Sequence, residues 1–462
     1  MREERIIVRP FEELRVEDYE GLKQVNEHGY ARLTGLIPYE KREAYLGLGR
    51  EQTWVLITAM ADDIQHILFY GIAESVKIHV AGRTCTMQLT ICSGTLLMDH
   101  REKIRSFQDP GLTYRNLLDV CSQGYDDAMG RMAVGEWQQT GQLIVQYQET
   151  DWAFIRRLAS MNQTVVIPSC TERGEKYYFG IPAGIGAAAA APEEYRTQCD
   201  MDEYWQKKAG GMDISPQDAV SYIWEDREIY ELGGAGTIGG QKMVIWKIET
   251  RMRGSELYHT YYMRRRQGIG VPAAYNVRLS GVSLFGRVAG VDREKVTVRL
   301  DADENRDGAG TCWFSYATVY SSPDGTGWYC MPEPGDRIRL YFPTEKETEA
   351  YAAGAYHEGD GGLRTNPACK FWRNREGKEI QLSPGRILIT NNNGTYIELS
   401  DTEGIRMASA GPVTVHAGGT LSISSASAGI EFNADKKISL IQGGTAMDLG
   451  GDLHLSGAQI RL

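Results

Sequence analysis

Two apolar residues separated by one polar or small residue recur about every eight positions through the last ~85 residues of the chain. The pairs are Ile387/Ile389, Ile397/Leu399, Ile405/Met407, Val413/Val415, Leu421/Ile423, Ile430/Phe432, Ile438/Leu440, Met447/Leu449, Leu453/Leu455 and Ile460/Leu462. Gly, Ser, Asn, Asp and Pro fill the gaps. Residues i and i+2 of a strand point the same way, so each pair reads as a short strand with one buried face, and each small polar gap reads as a corner. A strand-and-corner chain of fixed period predicts a solenoid, in which no unit can bury its own face alone. A single-chain β-helix needs roughly 18 to 25 residues per coil, which would leave only a stub of about four coils. If three chains wind together, each unit supplies one wall of a long prism. The segment is therefore expected to be a trimeric, intertwined β-helix with all twenty paired residues facing the trimer core. Strand parity then sends Glu431, Ser439 and His454 outward.

The remainder of the 462 residues calls for more than one domain. A composition of 42% hydrophobic and 24% charged residues is that of globular protein, and the net charge of −11 argues against nucleic acid as a main partner. No stretch reaches the roughly 18 apolar residues of a membrane span, and the Gly/Ala-rich stretch 181–191 reads as a linker or tight turn. The N-terminus has no apolar signal core. None of the eight cysteines forms a C-x-x-C pair or has a histidine at zinc spacing, so buried, reduced thiols in a reducing cytoplasm are expected.

Strand alternation dominates the first 281 residues. Helices are expected over 113–128 and from Thr150 or Asp151 onward, where Trp152, Ile155, Leu158 and Ala159 hold helical spacing. In residues 200–220 the pattern predicts a helix, a Gly-Gly stop and a second helix start at Ser215-Pro216. Residues 282–357 read as a small closed barrel, with strands at 284–290, 295–300 and 336–342.

Five stretches carry a family resemblance: "NEHGYARLTGLIP" (26–38), "LFYGIAESV" (68–76), "DHREKIRSFQDPGLTYRNLL" (99–118), "QYQETDWAFIRRLAS" (146–160) and "WFSYATVYSSPDGTGWYCMPEPGDRIRLYFP" (313–343). Together they resemble the VgrG-type spike proteins of contractile injection systems, a fusion of phage baseplate hub and tail spike (gp27/gp5-like). The resemblance implies a mainly β chain. A hub-like, tube-adaptor domain of two barrel-like β modules with short helices would span 1–281, and an OB-type β-barrel 282–357. A linker would span 358–377 and the needle 378–462. It implies a structural, type VI secretion-like puncturing device, assembled in the cytoplasm as a homotrimer and delivered to or through a target envelope. Its implied partners are a hexameric Hcp-like tube protein, baseplate proteins, effectors, and a PAAR-like tip protein that would meet Ile460, Arg461 and Leu462. The rival readings are a trimeric glycan-degrading tailspike and an adhesin stalk.

Candidate chemistry is sparse. Asp301, Asp303, Asn305 and Asp307 superficially resemble a calcium loop, but Arg306 and Cys312 stand where the EF-hand needs Gly and Glu, so a solvated inter-strand loop is expected. His416 and His454 are the only needle histidines, with no His-x-His pair, and an axial metal is not expected at either. No G-x-S-x-G, P-loop or H-E-x-x-H occurs. The barrel aromatics Trp313, Phe314, Tyr316, Tyr320, Trp328 and Tyr329 would serve nucleic acid only in a basic groove. The expectation is no catalytic residue, no cofactor, no metal and no nucleic acid.

Overall fold

The structure is a computed structural model that describes residues 5–61, 64–186, 188–190, 192–305, 310–359, 362–451, 453–456 and 459. The chain is mainly β and divides into two compact units, Met1–Glu358 and Gly359–Leu462.

The first unit opens with β1 (Arg5–Arg9), β2 (Arg15–Gln24), β3 (Tyr30–Ile37), β4 (Trp54–Ala61), β5 (Ile64–Ala81) and β6 (Thr84–Ser93). After β7 (Lys103–Phe107), β8 (Met129–Met132), β9 (Ile144–Glu149), β10 (Val166–Pro168) and β11 (Lys176–Phe179) come β12 (Arg196–Cys199), β13 (Val220–Asp226), β14 (Ala235–Ile238), β15 (Gln241–Arg253) and β16 (Glu256–Arg264). The hub-like region builds one 11-stranded sheet, in the order β1-β4-β5-β6-β3-β2-β15-β16-β13-β12 with β14 beside β15. Its two halves meet where β2 pairs with β15, Gln24 opposite Lys247 and Glu20 opposite Arg251. Each half has its own core: Leu33, Phe69 and Met87 in the first, Trp224, Ile245 and Tyr261 in the second. The two modules are thus halves of a continuous sheet.

Among the described residues five α-helices accompany it: α1 (Arg42–Leu48), α2 (Tyr114–Ser122), α3 (Asp151–Met161), α4 (Met201–Ala209) and the single turn α5 (Arg266–Ile269). The Thr113 and Thr150 side chains cap α2 and α3 by accepting from Asn116 N and Ala153 N. α2 is shorter than the pattern predicts: the chain turns extended at Gln123, and Gly124, at φ +93°, continues the turn away from the helix. The second helix expected at Ser215-Pro216 is one 3-10 turn, Pro216–Ala219, before the chain enters β13. Of the cysteines, Cys85, Cys92, Cys121 and Cys170 are buried, while Cys199 and Cys330 are exposed, which corrects the expectation for those two.

A closed barrel follows: β17 (Val282–Asp292), β18 (Lys295–Leu300), β19 (Trp313–Ala317), β20 (Arg337–Phe342) and β21 (Tyr351–Tyr356), in the order β17-β18-β19-β21-β20. Its alternation puts Val296, Val298, Ile338, Leu340 and Phe342 inside.

In the second unit, β22 (Lys370–Arg373), β23 (Glu379–Ser383), β24 (Arg386–Thr390), β25 (Tyr396–Ser400) and β26 (Gly404–Ala408) form a five-stranded antiparallel meander. β22 lies inside the stretch read from sequence as linker. β27 (Ile438–Gln442), β28 (Thr445–Leu449) and β29 (Leu453–Ser456) form a second meander. Residues 409–437, which carry three of the apolar pairs, contain no strand.

Candidate functional site

Two features concentrate the molecule's unusual chemistry: the joint between hub and barrel, and an uncovered apolar sheet face in the second unit.

The joint begins at the first turn of α3. Asp151, fully buried, accepts from Lys103 Nζ (2.5 Å), Arg105 Nη1 (2.7 Å), Tyr125 OH (2.8 Å) and Gln146 Nε2 (3.2 Å). Four donors from three segments satisfy one carboxylate, which locks β7 and β9 to the helix start. Burial, reinforced by the bond to Asp151, pushes the Tyr125 phenol well above its usual range.

Nearly two turns along the same helix, Arg157 reaches across to the barrel. It donates to Glu149 through Nε and Nη2 (2.8 Å each), to the Val145 carbonyl (2.8 Å) and to Glu347 Oε1 (2.9 Å). Burial works against its charge, but Glu149 and Glu347 more than compensate, so the guanidinium pKa is raised. Leu143, just before β9, and Val145 of β9 belong to the same core cluster as Val298, Ile338 and Leu340, so hub and barrel share a hydrophobic core.

The loop after β18 seals the other side. Asp303 accepts from Ser106 N (3.0 Å) and from the Ser106 hydroxyl, while Asn305 Nδ2 donates to Ser106 O (3.1 Å). Glu304 N donates to Ile104 O (2.9 Å). Gln108 ties on from the hub by donating to Val298 O (3.0 Å) and accepting from Gly310 N (3.0 Å). The expectation of a solvated loop is therefore corrected at Asp303 and Asn305: their polar groups bind hub backbone instead of water. Asp301 is exposed and holds Arg337 at 3.0 Å, and Asp307 lies outside the described residues.

The paired apolar residues of the second unit stand mostly in the open. Cross-strand register brings Ile380, Ile389, Ile397 and Met407 into one line and Leu382, Ile387, Leu399 and Ile405 into the next. Directly opposite residues share a face, so all eight lie on one side of the sheet. Each is at least 37% exposed, and Ile405 reaches 72%. Trp372, opposite Ile380 and 66% exposed, extends the first line. The opposite face carries Gln381, Glu398 and Arg406, with Arg386 and Glu398 paired at 3.0 Å. A contiguous apolar face of this kind marks an interaction surface.

Val413, Val415, Leu421, Ile423, Ile430 and Phe432 are also exposed. In the second meander, register aligns Ile438 with Leu449, and Leu440 with Met447 and Leu455, while Leu453 pairs with Leu449. Position 454 falls on the other parity, opposite Asp448. Ile438 and Met447 are half-buried, Leu440 and Leu449 exposed. Ile460, Arg461 and Leu462 lie outside the described residues. Among the described residues no group of three or more His, Cys, Asp or Glu side chains could hold a metal, and His416 is exposed.

Sequence reading missed Arg157, Glu149 and Glu347, which lack any local pattern, and read Asp303 as part of a solvated loop. It also omitted Trp372, Ile380 and Leu382 from the apolar face, although Ile380/Leu382 repeats the pair spacing one unit before Ile387/Ile389.

No family model matches the chain, and no curated protein matches it. Solved structures do. An Escherichia coli protein, c3393, described as a component of the type VI secretion system with structural similarity to the T4 bacteriophage tail proteins gp27 and gp5, superposes with a TM-score of 0.55 at 13% identity, covering 76% of this chain and 100% of that one. The chain shares the fold of that protein. The Francisella PdpA-VgrG complex matches it in a half-lidded form (TM-score 0.55, 8% identity, 88% of each chain) and a lidded form (TM-score 0.56, 8% identity, 88% of this chain and 80% of that one). At these identities the likeness to the VgrG complexes is one of fold.

Proposed function

We propose that this chain is the structural central spike of a contractile injection machine, joining a hexameric, Hcp-like tube to a trimeric envelope-puncturing needle. The observation that carries the reading is the uncovered apolar face of β23–β26. A single sheet cannot bury its own apolar face, and fully burying each Ile or Leu is worth about 1.5–3 kcal/mol. Three copies facing inward around one axis bury it completely. Residues 409–437 supply a second argument: they keep the apolar pairing yet form no strand within the chain, so strands from other copies are their natural partners. On this reading the paired residues from Ile387 to Leu462 form the trimer core, residues 1–281 adapt to the tube, and 282–357 connect hub to needle. Ile460, Arg461 and Leu462 would meet a PAAR-like tip protein. Baseplate proteins and effectors are further partners; the solved PdpA-VgrG complexes support a spike that carries another protein.

The role is mechanical and not catalytic. The particle assembles in the cytoplasm and acts at a target envelope. Native mass spectrometry of the purified chain decides the central point. A homotrimer whose C-terminal part resists hot detergent is expected. A well-folded monomer, or a dimer that buries the face as a two-sheet sandwich, would overturn the spike reading. Clearing of peptidoglycan or polysaccharide in zymograms, lost on changing a single carboxylate, would favour the tailspike alternative.

A further inference from the structure

The barrel carries two uncovered surfaces of complementary chemistry. On β18, β17 and β20 three arginines stand in one row: Arg287 lies opposite Arg299 on one side and Arg337 on the other. Two residues along, Arg339 lies opposite Phe285. Like charges directly across strands repel, so such a row needs compensation. Part of it is internal. Glu358 pairs with Arg287 (3.1 Å) and with Arg337, and Asp301 pairs with Arg337. Arg299 and Arg339 are exposed and have no ion-pair partner among the described residues.

The second surface lies along β19, the strand that adjoins β18 outside the row. The hairpin that follows β19 closes with a bridge between Ser321 and Gly327. Gly327 sits at φ +140°, and a Cβ there would stand 2.4 Å from the Tyr320 carbonyl oxygen, so only glycine fits. The hairpin holds Val319, Tyr320, Trp328 and Tyr329 out from the barrel, 54% to 94% exposed. The Tyr329 hydroxyl is anchored by donating to Arg293 O (3.1 Å). Val319, Trp328 and Tyr329 border a groove of about 410 Å³, and the exposed residue Glu294 also lines it.

We infer that the arginine row of one chain docks in the aromatic groove of a second copy of this chain, closing a head-to-tail ring of three barrels. The inference rests on the three-copy reading above. A threefold ring requires two different patches on every subunit, each fitting the other, and the barrel presents such a pair. Guanidinium groups stack on Trp and Tyr faces and pair with carboxylates, and the groove offers both. A nucleic acid suits the row less well. Phosphates would have to approach past Glu358 and Asp301, on a chain of net charge −11.

The test uses the full-length chain. Cys330, exposed beside Tyr329, reports the groove. Ser283→Cys, on the same outward face of β17 as Phe285 and Arg287, reports the row. With Cys199, Cys312 and Cys369 replaced by alanine, a short bis-maleimide should link position 283 of one copy to Cys330 of the next and give covalent dimers and trimers on denaturing gels. The chain with Cys330 alone should give none, and Trp328→Ala or Arg299→Glu should deplete them. Native mass spectrometry on the same samples separates the two claims. A trimer without the cross-link overturns the docking and leaves the spike standing; a monomer overturns both. An oligonucleotide that binds at low salt and is lost with Arg299→Glu, while the cross-link is absent, would assign the row to a polyanion instead.

Discussion

Arg157 of the hub and Glu347 of the barrel meet at 2.9 Å with side chains only 4% and 1% exposed. The pair joins α3 to the short turn between β20 and β21, and Glu149 shares the same guanidinium at 2.8 Å. Removing Arg157 strands two carboxylates, one of them without any access to water. Removing Glu347 leaves Arg157 still paired with Glu149. Arg157→Met should therefore cost about 3–5 kcal/mol and Glu347→Gln only about 1.5 kcal/mol. Urea unfolding of the two variants measures this. Equal, small losses would mean that the contact does not lock hub to barrel.

On the other side of the joint, Asp303→Ala removes the acceptor for two Ser106 groups and for Asn305 N. A loss of about 1–3 kcal/mol is expected. Hydrogen exchange at the Ser106 and Glu304 amides should accelerate while exchange in the hub sheet stays unchanged. Unaltered protection at Ser106 would show the loop to be held by something other than this carboxylate.

Whether an element was legible depended on where its partners lie along the chain. The apolar pairs in β24 to β29 could be read because residues i and i+2 carry the whole signal, whereas Val413/Val415, Leu421/Ile423 and Ile430/Phe432 form no strand within the chain. α3 could be read because its cap, Thr150, sits next to its own first turn. The Asp303 loop resembles a solvated or calcium-binding turn because its hydrogen-bond partner lies 197 residues earlier. Glu347 looks like one more exposed charged residue among Glu345, Lys346 and Glu349, and only the fold brings Arg157 to it. The short turn at Pro216 shows the reverse: a good local start signal was overridden because the next residues, from Val220, form β13, which fills the sheet between β12 and β16.

Acid should weaken the hub through His259. Burial, with the nearby Lys23 ammonium adding to it, pushes the imidazole down to about 3 from an ordinary 6.5. The ring is neutral in the fold, with Nδ1 2.8 Å from the Thr250 hydroxyl. Above pH 6.5 neither state takes the proton and this group contributes no slope. Below that value the unfolded chain binds a proton that the folded one refuses, so stability falls by up to about 1.4 kcal/mol per pH unit until the folded value is reached. His259→Gln lacks this slope, whatever its fixed cost. Urea midpoints for both proteins between pH 4 and 7 should converge toward low pH. Parallel curves would show that His259 is protonated in the fold.

The neighbouring residues Ile397 and Glu398 test which face of the five-stranded sheet is covered. Ile397 lies in line with Ile389 and Met407, while Glu398 lies on the opposite face and pairs with Arg386. If three copies close over the apolar face, Ile397→Asp places three carboxylates close together away from water. A buried, unpaired charge costs far more than the lost packing, and the trimer should fail to assemble or fall apart in warm detergent. Glu398→Gln removes one partly exposed ion pair per chain, worth about 0–1 kcal/mol, and should leave the trimer intact. Detergent-resistant trimer on gels, followed against temperature for both variants, gives the answer. Were the apolar face open to water in the assembled protein, Ile397→Asp would be harmless. Tolerance of that substitution, or damage from Glu398→Gln alone, would put the covered surface on the polar side and remove the physical basis for a needle built from these strands.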